Sequence, residues 1–314
     1  EGELALVRMY LDKERPKSAL KAIRKFMAGY PNDSRREEIM MLAGQAQMDR
    51  GRYVEAYERF NEQMDQYRNG AYYDRAVQRQ YEIADAFLKG RKRRTWIFKV
   101  SAVDKGIDIL NGIADRVPGT VIAEKALLRV GDYHYDTRHV VEAVEAYDHY
   151  VKTFPQSPRQ RLGYAMLRAA RARYAQYRGE AFDDTPLTDA QQRFIIYTDR
   201  YPEQADKANI PMVLSQIRNA LVRRYFASAK FYQRVGRKTA AVFYYKKVVA
   251  QSAESHWARR AEDALGALGA RPEVRGNSGE KPRPRTQPRS DTVEKSTGRT
   301  DADSKPPKNG KVEK

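Results

Sequence analysis

The sequence contains no cysteine among its 314 residues. Disulfide bonds, thiolate metal sites and cysteine nucleophiles are therefore excluded. Long apolar runs are missing as well: runs such as those at residues 96–98 and 194–196 fall far short of the roughly 18 to 20 residues that a membrane-spanning helix needs. The chain begins at Glu1 without the apolar stretch of a signal peptide, so we expect any targeting segment to have been removed.

Aromatic side chains are absent from the end of the chain, because all 2 Trp, 21 Tyr and 10 Phe precede residue 271. The same segment, residues 271–314, is rich in proline and carries more Lys and Arg than Asp and Glu. A segment with so little apolar surface cannot offset the roughly 1–2 kcal/mol of backbone entropy that ordering costs per residue. We expect a folded domain over residues 1–270 and a disordered basic Pro/Lys-rich tail over residues 271–314.

Helical spacing dominates the first 270 residues, and no period-two pattern with turn pairs indicates a sheet. The fold class predicted is all-α. A 34-residue tetratricopeptide (TPR) pattern of apolar, small and aromatic residues with a closing proline is superimposed on it. Its clearest copy is Leu127, Val130, Gly131, Ala143, Tyr147 and Pro155, and a second is Gly44, Ala56 and Phe60.

These spacings predict a right-handed superhelical array of about five TPR helix pairs with a C-terminal capping helix. Six ranges carry the pattern, the third and fifth with insertions and one of them partial or atypical: 1–34, 35–70, 71–120, 121–157, 158–204 and 205–255. Ser34 with Glu37, and Ser157 with Gln160, predict capping boxes. Gly51 and Gly236 predict left-handed helix ends.

Catalytic motifs are missing too. No two of the four histidines form an i, i+4 pair with the carboxylate that a helical zinc site requires, and neither a nucleophile elbow nor a glycine-rich phosphate loop occurs. His134 falls on the buried stripe of its helix and is interpreted as a core residue. We therefore predict no enzyme activity and no catalytic, cofactor or metal site.

A basic segment with embedded aromatic residues follows the fifth predicted helix. It predicts contact with anionic lipid or another anionic surface, because phosphate attraction and interfacial burial of Trp act together. The alternative is a solvated loop whose Trp packs back onto the helices. The candidate residues are Lys89, Arg91, Lys92, Arg93, Arg94 and Trp96.

The first helices of TPR pairs usually form the wall that binds peptides or partner proteins. Phasing from Gly44 and Gly131 predicts which side chains point to that wall, the alternative being ordinary packing or solvated residues. The candidate residues are Leu4, Arg8, Met41, Gln45, Asp49, Leu128, Asp132 and Tyr135.

The closing motifs at residues 30–34 and 154–157, together with the strings at residues 229–234 and 240–245, resemble those of BamD-type (YfiO-like) TPR lipoproteins of outer-membrane β-barrel assembly. The resemblance spans roughly residues 1–268. It implies a non-enzymatic scaffold on the periplasmic face of the bacterial outer membrane, anchored by lipid through a segment that lies outside this chain. It also implies that the C-terminal repeats dock the barrel-inserting subunit and that unfolded outer-membrane proteins bind nearer the N-terminus.

Within the last pair, Tyr245 takes the core position of Phe60 and Tyr147, so Phe243 and Tyr244 are the candidate docking residues. Two other functions remain open. One is a TPR coordinator of the cell envelope that works in division or on peptidoglycan. The other is a phosphate-backbone binder driven by the net charge of +18, although no base-reading module that would recognise a specific nucleic acid is present.

Overall fold

The structure is a computed structural model that describes residues 2–90, 102–179 and 183–270. These ranges contain fourteen α-helices and no strand, which confirms the all-α prediction. The helices are α1 (Gly2–Asp12), α2 (Pro16–Gly29), α3 (Arg36–Asp49), α4 (Tyr53–Gln66), α5 (Tyr73–Leu88), α6 (Ala102–Arg116), α7 (Val121–Asp136), α8 (Val140–Thr153), α9 (Arg159–Ala175), α10 (Thr185–Arg200), α11 (Pro202–Lys207), α12 (Ile210–Arg234), α13 (Lys238–Gln251) and α14 (His256–Ala267).

Most contacts in the array are between helices that follow one another along the chain. Within the described part, six helix pairs form in this way, where the sequence predicted about five and a partial one. They are α1–α2, α3–α4, α5–α6, α7–α8, α9–α10 and α12–α13, and α14 packs against the last pair. The first helix of one pair also contacts the first helix of the next pair: α5 contacts α7, and α7 contacts α9. Each pair therefore covers the apolar side of its neighbour.

Close approach within a pair depends on the small residues that the repeat pattern predicted. A Cβ atom added to Gly131 would lie 2.7 Å from the Tyr147 ring, and one added to Gly44 would overlap the Phe60 ring. Both rings are fully buried. In these two pairs, the aromatic residue of the second helix therefore packs directly against the glycine of the first helix.

The turns within pairs confirm one prediction, and the turns between pairs correct another. Gly51 and Gly236 have φ angles of 68° and 76°, as expected for left-handed helix ends. Both predicted capping boxes are wrong, because α3 and α9 begin without a side-chain cap. The hydroxyl of Ser157 instead donates a hydrogen bond to Glu124 of the preceding pair. The side chain of Glu37 likewise accepts hydrogen bonds from residues of the following turn.

Candidate partner-binding surfaces

Two residues of the predicted first-helix wall are buried, which corrects that part of the prediction. Leu4 is 9% exposed and packs in the cluster around α1 to α3, while Met41 is 2% exposed and packs in the cluster around Phe60. A first helix is covered by its own partner and by the adjacent pairs, so its buried stripe is wider than the pattern of a single amphipathic helix indicates. Leu4 and Met41 therefore stabilise the array and offer no surface to a partner.

Three other wall residues make local polar or apolar contacts. Arg8 is exposed and pairs with Glu38 of the next first helix. Gln45 is half-buried, and its Nε2 atom donates a hydrogen bond of 2.7 Å to Asp49 Oδ1. Leu128 is partly buried against the cluster that contains Tyr147. The first-helix side is thus a mixed surface in which only part of the predicted set reaches solvent.

Asp132 joins three helices. Its Oδ1 atom accepts hydrogen bonds from the hydroxyls of Tyr147, at 2.7 Å, and Tyr164, at 2.6 Å. Burial and the bond to Asp132 raise the pKa of Tyr164 to about 12, so this phenol stays protonated as a donor at neutral pH. Asp132 therefore fixes α8 and α9 against α7.

Arg168 of α9 lies beside this network, with its guanidinium carbon 4.3 Å from the ring centroid of Tyr135 and 5.1 Å from that of Tyr164. It also forms an ion pair of 3.3 Å with Asp136. The sequence analysis missed Tyr164 and Arg168, because they belong to the next helix pair. The sequence feature that could have identified them is an i, i+4 spacing, which residues 132 and 136 on α7 share with residues 164 and 168 on α9.

A groove of about 420 Å³ lies between the second helices α2 and α4, with α3 at its floor. We call it the α2–α4 groove. The sequence pattern did not predict it, because the groove lies between two second helices of neighbouring pairs. Methionines adapt their shape to different apolar ligands, and arginines attract carboxylates. The lining residues are Leu20, Ile23, Arg24, Met27, Met40, Ala43, Gln47, Arg50, Arg59 and Glu62.

The aromatic residues of α13 divide between core and surface. Tyr245 is buried and its hydroxyl donates a hydrogen bond of 2.7 Å to Gln233. Phe243 is 53% exposed, whereas Tyr244 is half-buried and stacks on Tyr232 with ring centroids 5.5 Å apart. The Nζ atom of Lys247 lies 4.9 Å from the Phe243 ring centroid. Phe243 is the side chain of the predicted pair that a partner can cover, and Tyr244 supports it.

Carboxylates are missing from the sequence of this last pair itself. Residues 207–253 contain ten Lys and Arg but neither Asp nor Glu, whereas residues 1–206 hold 35 and 31 respectively. Arg224 reaches back to Asp184 at the start of α10, at 3.5 Å. Most of the excess positive charge of the helical array is therefore concentrated on α12 and α13.

Of the predicted basic segment, the described residues include Lys89. Arg91, Lys92, Arg93, Arg94 and Trp96 lie outside the described residues. Lys89, the remaining member, is exposed and its Nζ atom lies 2.6 Å from Asp85 Oδ2.

His134 and the acidic residues form no metal site in residues 2–90, 102–179 and 183–270, where no group of three or more potential ligands occurs. His134 is half-buried, and burial lowers the pKa of its imidazole, which favours the neutral form. No helix in the same ranges is long and apolar enough to cross a membrane.

Consecutive helix pairs that pack side by side define a TPR-like repeat protein, a class that is generally non-catalytic. Within that class, the sequence pattern of the YfiO family, described as outer membrane lipoprotein, matches residues 95–271, which is more than half of the chain. The chain belongs to the YfiO family. No curated protein sequence matches it.

Solved TPR structures resemble the chain at low sequence identity. The C-terminal part of a TPR repeat-containing protein from Cytophaga hutchinsonii is 15% identical, with a TM-score of 0.36 over 81% of this chain and 84% of that one. A tetratricopeptide repeat protein from Parabacteroides merdae is 12% identical, with a TM-score of 0.36 over 85% of this chain and 98% of that one.

Proposed function

We propose that this protein is a non-enzymatic periplasmic scaffold of outer-membrane protein assembly, which docks the barrel-inserting subunit and unfolded β-barrel clients. The observation that carries the proposal is membership of an outer membrane lipoprotein family, whose pattern extends over the last helix pairs. TPR arrays act by presenting surfaces to other proteins, and the chain offers two surfaces of different chemistry. One is centred on Phe243, and the other is the α2–α4 groove.

The surface around Phe243 suits a folded protein partner. Aromatic side chains that are exposed on a rigid helix lose little conformational entropy on binding and often supply most of the affinity. Tyr244, which is itself stacked on Tyr232, packs edge-on against Phe243, and Lys247 lies against the Phe243 ring. The barrel-inserting subunit would cover Phe243 and place acidic groups near Lys247.

The α2–α4 groove suits an extended segment of an unfolded client. Its apolar lining includes Ile23 and Met27 of α2 and Met40 of α3, and arginines line it as well. Segments of β-barrels alternate apolar and polar residues, so one face can contact the apolar lining while acidic side chains or a terminal carboxylate contact the arginines. The two surfaces lie at opposite ends of the sequence, so client and subunit would not compete for the same residues.

We expect Phe243→Ser to reduce retention of the barrel-inserting subunit about tenfold in a pull-down, because a large contact residue is typically worth 1–2 kcal/mol or more. The melting temperature should stay nearly unchanged, because the ring is already half exposed. Val141→Ser on α8 is the matched control, since Val141 is an exposed apolar residue of another second helix. Full retention by Phe243→Ser would place the docking surface elsewhere.

We expect the double variant Arg24→Glu and Arg50→Glu to weaken binding of a labelled, unfolded acidic barrel segment about five- to tenfold at low salt, and less at high salt. Fluorescence anisotropy at two ionic strengths measures both effects. Lys13→Glu with Lys17→Glu is the control, because it makes the same change of net charge on exposed residues that do not line the groove. Equal losses in both variants would show that overall charge, and not the groove, binds the segment.

A further inference from the structure

The turn between α12 and α13 carries exposed apolar side chains that are surrounded by basic ones. Phe231 and Val235 are each 49% exposed, although both are large apolar residues. Arg234, Arg237 and Lys238 surround them and are exposed as well. We call these five residues the α12–α13 tip.

Corresponding turns in the other pairs are polar where this one is apolar. The residue before the left-handed position is Arg50 in the second pair and Thr137 in the fourth, but Val235 here. Repeat architecture therefore does not require an apolar side chain at this place. Val235 exposes apolar surface that the fold itself does not use.

The first turn of α13 supplies no acidic side chain that could neutralise the cations of the tip. In the second pair Arg52 pairs with Glu55 of the first helical turn, at 3.4 Å. The residue that corresponds to Glu55 in α13 is Ala240, and the first turn of α13 contains no acidic residue. Because a helix N-terminus carries partial positive charge, Arg237 and Lys238 lie where cations disfavour the helix. Their charge is therefore not explained by the stability of α13.

We propose that the α12–α13 tip inserts into the headgroup region of an anionic phospholipid bilayer. Phe231 and Val235 enter the apolar boundary of the bilayer, and the three cations contact lipid phosphates. Interfacial binding of this kind gains from buried apolar area and from attraction to anionic lipid together. The absence of carboxylates from residues 207–253 removes the repulsion that such a surface would otherwise meet.

A bilayer fits the tip better than a nucleic acid or an acidic protein. Phe231 could stack on a base, but the branched side chain of Val235 offers a nucleic acid no stacking face. Pairing of the cations with acidic side chains alone would leave Phe231 and Val235 exposed. The chain also belongs to a family of outer membrane lipoproteins, so a bilayer is the surface near which its members are held. The proposal is independent of the docking role of Phe243.

Co-sedimentation of the full chain with vesicles tests the proposal. Vesicles of phosphatidylethanolamine and phosphatidylglycerol should bind the protein, and vesicles of phosphatidylcholine should bind it at least tenfold more weakly. Phe231→Ser with Val235→Ser should weaken binding to the anionic vesicles about fivefold or more. Changing Arg234, Arg237 and Lys238 to Gln should weaken it similarly and flatten its salt dependence, because fewer phosphates are neutralised.

Insertion can be observed directly, because the chain contains no cysteine. Val235→Cys carrying an environment-sensitive nitrobenzoxadiazole dye should shift to shorter emission wavelength on anionic vesicles, whereas Val141→Cys with the same dye should not. Val141→Ser, on α8, should leave vesicle binding unchanged. Vesicle binding is measured without the barrel-inserting subunit, so a failure of this proposal stays distinct from a failure of the docking proposal.

Three results would overturn the proposal. The first is unchanged vesicle binding by Phe231→Ser with Val235→Ser. The second is loss of binding only when Arg91, Lys92, Arg93 and Arg94 are changed to Gln, which would assign lipid contact to that basic segment. In the third, the tip variants weaken binding of a DNA oligonucleotide and leave vesicle binding intact, which would assign the tip to phosphate backbones.

Discussion

Replacing Gly44 with alanine is expected to lower the free energy of unfolding by about 1–3 kcal/mol, which is the usual cost of overpacking a core. The same substitution at an unobstructed helix position stabilises a protein by about 1 kcal/mol, because alanine is the better helix former. At Gly44 the steric effect is larger, since the new Cβ atom would overlap the Phe60 ring and that ring is fully buried. Gly131→Ala should behave similarly against Tyr147.

Gly112→Ala provides the matched control, because Gly112 lies inside α6 and no atom is within 4 Å of the position of its added Cβ. Thermal unfolding followed by circular dichroism should show a lower melting temperature for Gly44→Ala and an equal or higher one for Gly112→Ala. For a protein of this size, 1 kcal/mol corresponds to roughly 2–4 °C. Adding Phe60→Leu to Gly44→Ala should restore part of the loss. If both alanine variants were stabilised alike, the glycine would not be the point of closest helix contact.

The sequence predicted this contact because both partners lie within one repeat. Gly44 and Phe60, like Gly131 and Tyr147, are separated by the same short offset, and the repetition of that offset along the chain distinguishes it from chance. Helix pairing, the left-handed ends at Gly51 and Gly236 and the buried position of Tyr245 follow from the same local rules and are confirmed.

Features that depend on two neighbouring pairs could not be predicted in this way. Burial of Leu4 and Met41 comes from helices of adjacent pairs, and the α2–α4 groove exists only because two second helices lie side by side over α3. The single-repeat pattern contains no information about either. Binding surfaces that lie between repeats are therefore identified from the structure and not from the repeat pattern.

Two glutamates also show that the pattern of a single repeat does not predict contacts between helix pairs. The pattern assigned Glu37 to a helix cap, but in the structure its side chain reaches the turn that leads into the next pair. Glu37 accepts hydrogen bonds from the backbone N–H groups of Ala71, at 3.1 Å, and Tyr72, at 2.8 Å, in the turn before α5. Glu124 has the same offset from Glu37 as Gly131 has from Gly44. It too reaches the turn before the next first helix, where it contacts Ser157 and Arg161. These carboxylates fix one helix pair to the next.

Glu124→Gln is expected to lower the free energy of unfolding by about 1.5–3 kcal/mol at pH 7, the usual range for hydrogen bonds to a charged group. The carboxylate is buried, accepts a hydrogen bond of 2.7 Å from Tyr150 and pairs with Arg161 at 2.8 Å. Glutamine retains the shape and one acceptor oxygen but lacks the charge that holds Arg161. Thermal unfolding measures the loss, and Glu142→Gln, an exposed carboxylate on α8, is the control.

The effect of Glu124→Gln should depend on pH, and its sign follows from the environment of the carboxylate. Burial alone would raise the pKa of Glu124, but hydrogen bonds from Ser157 and Tyr150 and the charge of Arg161 outweigh burial and hold the pKa below its ordinary value of 4.5. A carboxylate whose pKa is lower in the folded state stabilises that state above its unfolded pKa, and this stabilisation is lost as the pH falls through the folded value. The difference in melting temperature between the wild type and Glu124→Gln should therefore be constant from about pH 6 to 8 and shrink below about pH 4.5. A difference that stayed constant down to pH 3 would mean that Glu124 acts through packing and not through its charge.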